Sequence, residues 1–370
     1  MPEQKKGLAR MLKSLGERLP MDKFDFKHLV MEKEVPVHKM SWAYYLGGLT
    51  LFFFLVQVVT GIFLLFYYEP TVSDAHASVE FITRYVKNGF FIRNLHAWAS
   101  SCMILCLMAH AITTFAMKAF ARPREIIWSS GALLLLLGFT FGFTGYLLPW
   151  HQIAVNATKV MLQSIDRSGQ YLPGVLAGVP HYLTQLIQGG PMIGQATLSR
   201  FYALHVVILP LLVAGILGLH LLAVQLHGMS QGTDKPTGKS EKFFPFFILK
   251  DLIVWGVAFF IIFIIASCLP FESFSPFPLF QPFNALGATP EGIKPEWYFY
   301  FTYYPLELLP FWLVMIGLTA TGVVLFLTPR IFKNTSRPML AVIAWLITAY
   351  LVIITLFGSF IYALVKGGHP

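Results

Sequence analysis

Four histidines stand at matched intervals in two long apolar stretches of the chain. His96 and His110 lie fourteen residues apart in the first stretch, and His205 and His220 lie fifteen apart in the second. On an α-helix either interval spans about 21–22 Å and returns to within roughly 60° of one face. Histidines that face each other across a helix bundle can hold haem iron from both sides. The spacing therefore predicts two haem sites, stacked between two helices.

Each of these histidines, taken singly, has an alternative interpretation as a core residue hydrogen-bonded to a neighbour. Ionisable side chains inside a membrane are costly, however, and mark function by default. Between His96 and His110 the same helix face carries Ser100, Met103 and Leu107. These small or apolar side chains leave room for a flat macrocycle, which favours the haem interpretation.

Glycines in two further apolar stretches repeat the histidine interval. Gly47 and Gly61 are fourteen residues apart, and so are Gly131 and Gly145. A glycine lets a helix backbone approach a ring or another helix closely. Helix packing alone would explain any one of these glycines, but two pairs at this interval indicate contact with the cofactors.

Composition indicates a polytopic membrane protein. Of the 370 residues, 56 % are hydrophobic and only 12 % are charged, which is far from a soluble globular domain. The fold class we predict is all-α, a transmembrane helical bundle with a four-helix haem-binding core. Hydropathy predicts seven spans, at about 42–68, 91–118, 127–148, 201–227, 251–270, 309–328 and 340–365. Pro210 lies inside the fourth span and should kink it. The long connections are 69–90, 149–200 and 271–308. The last two are rich in proline, glycine and aromatic residues, so we expect surface helices in them.

Basic residues predict the orientation of the bundle. Nineteen of the 27 Lys and Arg residues fall in four segments on one side, and eight on the other, so that the N-terminus should be cytoplasmic in the inner membrane and the C-terminus opposite. His96 and His205 then lie near the outer side, and His110 and His220 near the inner side. The four basic segments are 1–40, 118–126, 228–250 and 329–339. The first of them contains apolar residues at helical spacing, which suggest an amphipathic helix on the membrane surface: Leu8, Met11, Leu12 and Leu15.

Five short motifs give the chain a resemblance to a known family. They are QVVTG (Gln57–Gly61), RNLH (Arg93–His96), GYLLPW (Gly145–Trp150), LSRFYALH (Leu198–His205) and PEWY (Pro295–Tyr298). With these motifs and the four histidines, the chain resembles the cytochrome b/b6 family, the core of quinol-oxidising cytochrome bc and b6f complexes. The resemblance runs from about residue 20 to 360. It implies a basic cytoplasmic segment at 1–40, a cytochrome b6-like di-haem domain at 41–228 and a fused three-helix domain at 229–370.

The resemblance implies two non-covalent b haems. His96 with His205 would ligate the lower-potential outer haem, and His110 with His220 the higher-potential inner haem. The four glycines named above would face the haems. Arg93 and Arg200 would neutralise haem propionates, and a role in which their side chains reach out to the membrane surface is the alternative.

The implied activity is that of the cytochrome b subunit of a proton-translocating quinol:cytochrome c, or plastocyanin-like, oxidoreductase. Quinol would be oxidised at an outer site, and electrons would cross the membrane to an inner quinone-reducing site. The outer site would be formed by Glu296 as proton acceptor with Tyr146 and Tyr303, although a structural role for Glu296 is the alternative. The inner site would be formed by Lys250, Asp251, Gln225 and His227.

Three positions depart from the pattern of relatives. Tyr45 replaces the cysteine that attaches an extra c-type haem in the b6 branch, so a covalent third haem is not expected. Gln225 stands where relatives carry a histidine or arginine, and Glu307 stands where a basic residue is expected. His151, next to the GYLLPW motif, is either an outer-side proton group or a loop histidine.

The resemblance also implies partners. These are a Rieske iron–sulfur protein, a c-type cytochrome, membrane lipids and a second copy of the complex in a homodimer. Two other classes of membrane protein remain as alternatives: a di-haem b anchor of another quinone-linked dehydrogenase or reductase, and a proton-coupled transporter without haem. Neither alternative accounts for the PEWY and GYLLPW motifs.

Overall fold

The computed structural model is a bundle of seven long apolar helices joined by segments that contain shorter helices. It describes residues 31–232, 238–274, 281–287 and 293–367, together with Gly16 and Asp25. The predicted all-α membrane bundle is confirmed. The amphipathic helix predicted around residues 8–15 lies outside the described residues.

Among the described residues, seven helices are long and apolar enough to cross a membrane, and we number these spans in chain order. They are Ser41–Leu65, Gly89–Ala116, Glu125–Leu147, Gln195–His227, Phe243–Cys268, Phe311–Ile331 and Arg337–Lys366. Shorter helices lie in the two connections for which surface helices are predicted, at Gln152–Ser168, Val179–Gln188 and Tyr300–Leu308. A further helix, Ala75–Arg84, lies in the first long connection, where none was predicted. Two short strands, Glu34–Pro36 and Ser240–Lys242, pair antiparallel and join the segment before the first span to the segment before the fifth.

Packing within the bundle follows two helix pairs. The second span packs most extensively against the first, and the third packs against the fourth. The second span also contacts the fifth and the seventh, so it lies at the centre of the molecule. The four histidines of the sequence are carried by the second and fourth spans, one helix from each pair.

Next to Pro210, where a kink is predicted, the fourth span contains a π-helical turn. Residues Leu204–Ile208 form this turn between the α-helices Gln195–Ala203 and Leu209–His227. Proline has no backbone N–H to donate, and π turns within α-helices are rare and occur frequently at functional sites. His205 lies within the turn, so the turn helps to set the position of this histidine.

Asn94 joins the second span to the end of the fifth. Its side chain is fully buried, and its amide nitrogen donates to the carbonyl oxygens of Ala266 at 2.7 Å and Leu269 at 2.8 Å. Its amide oxygen accepts from the backbone N–H of Phe271 at 2.7 Å. Asn94 lies two residues before His96, so these bonds also anchor the helix that carries this histidine.

We expect Asn94→Ala to destabilise the protein, because the carbonyl oxygen of Ala266 and the backbone N–H of Phe271 lose their partner, whereas the carbonyl oxygen of Leu269 keeps the indole N–H of Trp98. Each unsatisfied buried group costs about 1–3 kcal/mol, so the free energy of unfolding should fall by at least about 2 kcal/mol. Thermal denaturation of the detergent-solubilised complex measures the effect. Ser164→Ala is the control, since that hydroxyl bonds to a carbonyl of its own exposed helix. Equal melting temperatures for the two variants would show that Asn94 is not a structural anchor.

Candidate functional site

The four histidines form two pairs at different depths in the bundle. His96 and His205 face each other with their ring centres 6.4 Å apart. His110 and His220 lie further along the same two spans, close enough to interact electrostatically. In the described part of the chain, no group of three or more His, Cys, Asp or Glu side chains lies close enough together to hold a metal ion without another ligand. Each histidine pair offers two nitrogens, which is the number of axial ligands that a haem iron takes.

The separation of His96 and His205 suits a metal ion held between them. Metal–imidazole bonds are about 2.0–2.1 Å long, so two rings bound to opposite sides of one ion have their centres about 6 Å apart. The observed separation is 6.4 Å, with the ring planes inclined by 68°. This arrangement fits axial ligation of a haem iron better than a stacked pair of core aromatic rings.

A glycine of the neighbouring span lies against each histidine ring. The pairs are Gly47 with His110, Gly61 with His96, Gly131 with His220 and Gly145 with His205. A Cβ atom built on Gly145 would lie 2.6 Å from the His205 ring, closer than real contacts allow. The glycines predicted to face the cofactors thus touch the imidazole rings themselves, and a methyl group at Gly145 would displace the ring.

A hydroxyl group precedes three of these four glycines and contacts Nδ1 of the histidine. The bonds join Thr60 to His96 at 2.8 Å, Ser130 to His220 at 3.0 Å and Thr144 to His205 at 3.1 Å. Each hydroxyl donates its own proton to a carbonyl oxygen four residues earlier in its helix, at 2.6–2.8 Å. It can therefore only accept from the imidazole. The proton is thereby held on Nδ1, and the lone pair of Nε2 stays free for a metal.

Sequence reasoning missed these hydroxyl groups, although a signal was present. The dipeptides Thr60–Gly61, Ser130–Gly131 and Thr144–Gly145 share one pattern, a hydroxyl residue followed by the glycine of the repeat. A hydroxyl residue in an apolar helix most often bonds to its own backbone. The second contact, with a histidine of another helix, is visible only once the helices are packed.

Arg93 and Arg200, predicted to bind propionates, contact protein groups in the structure. Arg93 forms a largely buried ion pair with Glu272. Its Nε is buried without a hydrogen-bond partner among the described residues, so one donor is available to an acidic ligand. The guanidinium group of Arg200 donates to the carbonyl oxygens of Gln185 and Leu186. Arg200 thus bonds to the backbone at the end of helix Val179–Gln188, and its role at a propionate stays a prediction.

Glu296 lies half-buried at the same end of the bundle as His96. The next residue, Trp297, donates from its indole nitrogen to Ser101 at 3.3 Å, five residues beyond His96 in the second span. Burial raises the pKa of Glu296 from 4.5 to about 7. A carboxyl group with that pKa can accept and release a proton near neutral pH, as a general base must.

Tyrosines surround Glu296. Tyr146 of the third span, Tyr298 and Tyr300 all interact electrostatically with its carboxyl group. Tyr303, predicted for this site, instead groups with Tyr300, Tyr304 and the exposed Glu307. The residue of this helix that lies beside Glu296 is therefore Tyr300, about one turn before the predicted Tyr303.

His151 acts as a helix cap. Its Nδ1 accepts a hydrogen bond from the backbone N–H of Ala154 at 3.2 Å, at the start of helix Gln152–Ser168. Burial, with smaller contributions from the charges of His76 and Arg93, lowers its pKa to about 4. His151 is therefore neutral at physiological pH, which suits capping rather than proton exchange.

At the opposite end of the bundle, a cleft is lined by Lys33, Gln225 and His227. The ammonium group of Lys33 donates to the side-chain oxygen of Gln225 and to the carbonyl oxygen of Val224. It also lies 4.9 Å from the centre of the Phe243 ring, and burial lowers its pKa to about 8. Sequence reasoning missed Lys33 because it lies 192 residues from Gln225. It brings a cation to the position at which one is expected in relatives.

Lys250 and Asp251 have different surroundings despite being neighbours. Lys250 forms an exposed ion pair with Glu241. Asp251 lies against Gly48, which follows the glycine that touches His110. One oxygen of its carboxyl group is buried without a hydrogen-bond partner among the described residues. Of the two residues, Asp251 is the one placed to serve an inner site.

Tyr45 belongs to a series of stacked aromatic rings that ends at Lys33. It stacks on Phe247 with ring centres 5.3 Å apart and planes inclined by 9°. Phe247 stacks in turn on Phe243 at 5.8 Å, and Lys33 lies over Phe243. The ring at position 45 is therefore packed against the fifth span and forms one wall of this end of the bundle.

Comparison with known proteins assigns this arrangement to a family. The cytochrome b/b6/petB family model matches residues 30–228. The chain belongs to the cytochrome b/b6 family. Proteins of this family normally bind b haems and carry electrons within membranes, and the seven spans make this member a multi-pass integral membrane protein.

Individual relatives extend the match beyond the family model. The cytochrome bc complex cytochrome b subunit of Chlorobaculum thiosulfatiphilum is 41 % identical over 339 residues, covering 87 % of this chain and 75 % of that protein. Cytochrome b6 of Synechococcus elongatus is 41 % identical over 54 % of this chain and 89 % of its own. The structure of a hyperthermophilic respiratory complex III shares the fold, with a TM-score of 0.79 at 24 % identity over 96 % of this chain and 95 % of that one. This family member is the cytochrome b subunit of a bc-type oxidoreductase complex.

The raised pKa of Glu296 predicts a pH-dependent contribution to stability. Because the pKa of about 7 in the folded protein exceeds the ordinary 4.5, the folded state holds this proton more tightly than the unfolded state. The contribution is present in full below pH 4.5 and is lost as the pH rises through 7. Glu296→Gln cannot ionise, so its free energy of unfolding relative to wild type should rise by roughly 2.5 kcal/mol between pH 5 and pH 8.

Melting temperatures of both proteins at pH 5 and pH 8 measure this difference. Glu307→Gln, at an exposed position, is the matched control and should show no such gain. A melting-temperature difference between Glu296→Gln and wild type that is the same at both pH values would mean that Glu296 titrates as an ordinary exposed carboxyl group.

Proposed function

We propose that this chain is the subunit of its complex that oxidises quinol at one side of the membrane and reduces quinone at the other, with two b haems between the sites. The proposal rests above all on the two histidine pairs. His96 would hold one haem with His205, and His110 the other with His220. When bound, the haems supply one-electron transfer, since an iron with two imidazole ligands has no open position for oxygen.

The quinol-oxidising site is proposed at Glu296. Oxidation of quinol releases two protons and two electrons, so the site needs a base that is available at neutral pH. The buried carboxyl group of Glu296, with its pKa of about 7, would accept one proton from a quinol hydroxyl. Tyr146 and Tyr300 flank the carboxyl group and would orient the ring and exclude bulk water.

The quinone-reducing site is proposed in the cleft at the other end. Lys33 and His227 line this cleft, and the ammonium group of Lys33, with its pKa of about 8, can donate a proton to a reduced quinone. Gln225 holds the ammonium group in place. Asp251, buried beside Gly48, would supply protons from the same side.

Orientation and partners follow from the same proposal. The distribution of basic residues supports a cytoplasmic N-terminus, with Lys33 on the same side, and Glu296 would then release its proton to the outer side. The two electrons of quinol take different routes, and one route needs a high-potential acceptor next to the outer site. A Rieske iron–sulfur protein followed by a c-type cytochrome would provide it, in a complex that forms a homodimer.

Haem analysis tests the proposal. Pyridine haemochrome spectra of the purified complex should show two haem b for each copy of this chain, extractable by acid acetone because Tyr45 provides no thiol. His96→Leu should remove one haem or convert it to high spin while the other stays intact. His181→Leu, at an exposed surface position, is the control and should keep both. Haem covalently retained on this chain in a denaturing gel, or loss of both haems in folded His96→Leu protein, would contradict the proposal.

Turnover tests the role of Glu296. Removing a general base typically slows a reaction by roughly 10²–10⁴-fold. The amide of Glu296→Gln can still hydrogen-bond the quinol, so KM should change less than kcat, and the limb of the pH–rate profile near pH 7 should disappear. Glu307→Gln is again the control. If kcat and the pH profile of Glu296→Gln matched wild type with both haems present, another group would have to take the proton.

A further inference from the structure

One histidine lacks the hydroxyl contact that the other three share. Nδ1 of His110 is buried without a hydrogen-bond partner among the described residues. The reason is the residue before its glycine. Leu46 stands before Gly47 where Thr60, Ser130 and Thr144 stand before the other glycines. Leucine has no polar atom to accept the Nδ1 proton, although Gly47 touches the His110 ring as the other glycines touch theirs.

We infer that Leu46 sets the difference in reduction potential between the two haem sites, by leaving the His110 imidazole without an acceptor. This inference rests on the proposed binding of one haem by each histidine pair. Leu46 is then a positioning residue that acts through His110. Thr60, Ser130 and Thr144 occupy the equivalent positions at the other three histidines.

A hydrogen bond at Nδ1 of an imidazole changes the electron density on its ligating nitrogen, Nε2. An acceptor at Nδ1–H draws the proton away and makes Nε2 a stronger electron donor. A stronger donor stabilises ferric iron relative to ferrous iron and lowers the reduction potential. Without the acceptor, the His110 imidazole donates more weakly, and the iron that it ligates is reduced more easily.

The number of hydrogen-bond acceptors at each histidine pair gives the direction of the difference in reduction potential. At His96 and His205 both Nδ1 atoms are bonded to hydroxyl groups, and the carbonyl oxygen of Phe141 is a further acceptor for His205. In the other pair only His220 has partners, namely a hydroxyl and a carbonyl oxygen. The site of His110 should therefore have the higher potential. Electrons would then run from the Glu296 end of the bundle toward the Lys33 end.

The buried carboxyl group of Asp251 near Gly48 acts in the opposite direction, because a negative charge beside this site lowers its potential. An experiment on Leu46 must hold that charge constant. Exchanging Leu46 for threonine or for valine does so, since the two β-branched residues have nearly the same shape and differ by the hydroxyl group.

The test is a spectroelectrochemical titration of the b-haem absorbance in the intact complex, with Leu46→Thr and Leu46→Val compared. Haem content is measured first. We expect Leu46→Thr to shift the higher-potential step to lower potential than Leu46→Val does, and to leave the lower-potential step unchanged. The two steps should move closer together.

The reverse substitution uses a second histidine. Thr60→Val removes the acceptor of His96 and should raise the lower-potential step. Thr50→Val is its matched control, because Thr50 lies in the same span and its hydroxyl bonds to the carbonyl oxygen of Leu46 in its own helix. This pair of variants decides the question even if Leu46→Thr fails to assemble.

Two kinds of failure are distinguishable. A chain that carries no haem, or only one, overturns the proposed function itself. Two haems with identical titrations for Leu46→Thr and Leu46→Val, or for Thr60→Val and Thr50→Val, overturn this inference and leave the proposed function standing.

Discussion

The contact between an imidazole ring and a glycine of the neighbouring helix is the constraint on which the rest of this structure depends. It occurs four times, between the first and second spans and between the third and fourth. These are also the helix pairs that pack most extensively within the core. A side chain at Gly145 would displace the ring of His205, and at Gly47 and Gly131 it would crowd the facing ring. The residues that are proposed to hold the haems therefore also help to pack the bundle.

Side chains that can exchange protons lie at the two ends of the bundle that carries the histidine pairs. Glu296 is placed among tyrosines at one end, and Lys33 lies against Gln225 at the other. In both cases burial brings the pKa toward neutrality, upward for the acid and downward for the amine. A quinol-oxidising and quinone-reducing subunit requires proton exchange at both faces, and the chain offers a suitable group at each.

Much of this arrangement could be predicted from sequence because it follows from helix periodicity. The interval between His96 and His110, and the matching interval between glycines, depend only on positions along regular helices. Contacts that depend on how helices turn toward each other could not be predicted in this way. The hydroxyl group of Thr60 bonds to a histidine of another span, and Lys33 bonds to Gln225, which lies 192 residues away in the sequence.

Short segments between the spans were harder to predict. Tyr300, which the sequence did not single out, interacts with Glu296, because helix Tyr300–Leu308 begins only after the short turn Trp297–Phe299, and the phase of a short helix cannot be read from the motif alone. The role of Tyr303 in this site stays a prediction. For His151 the sequence left two roles open, a proton group or a loop histidine, and the hydrogen bond that it accepts from Ala154 favours the structural role.

The central claim is that each histidine pair holds one iron between two imidazoles. Electron paramagnetic resonance of the fully oxidised complex at low temperature tests it most directly, because the signal depends on both axial ligands at once. The account predicts two low-spin ferric signals of equal intensity and no high-spin ferric haem b. A single low-spin signal, or a high-spin signal in stoichiometric amount, would contradict it.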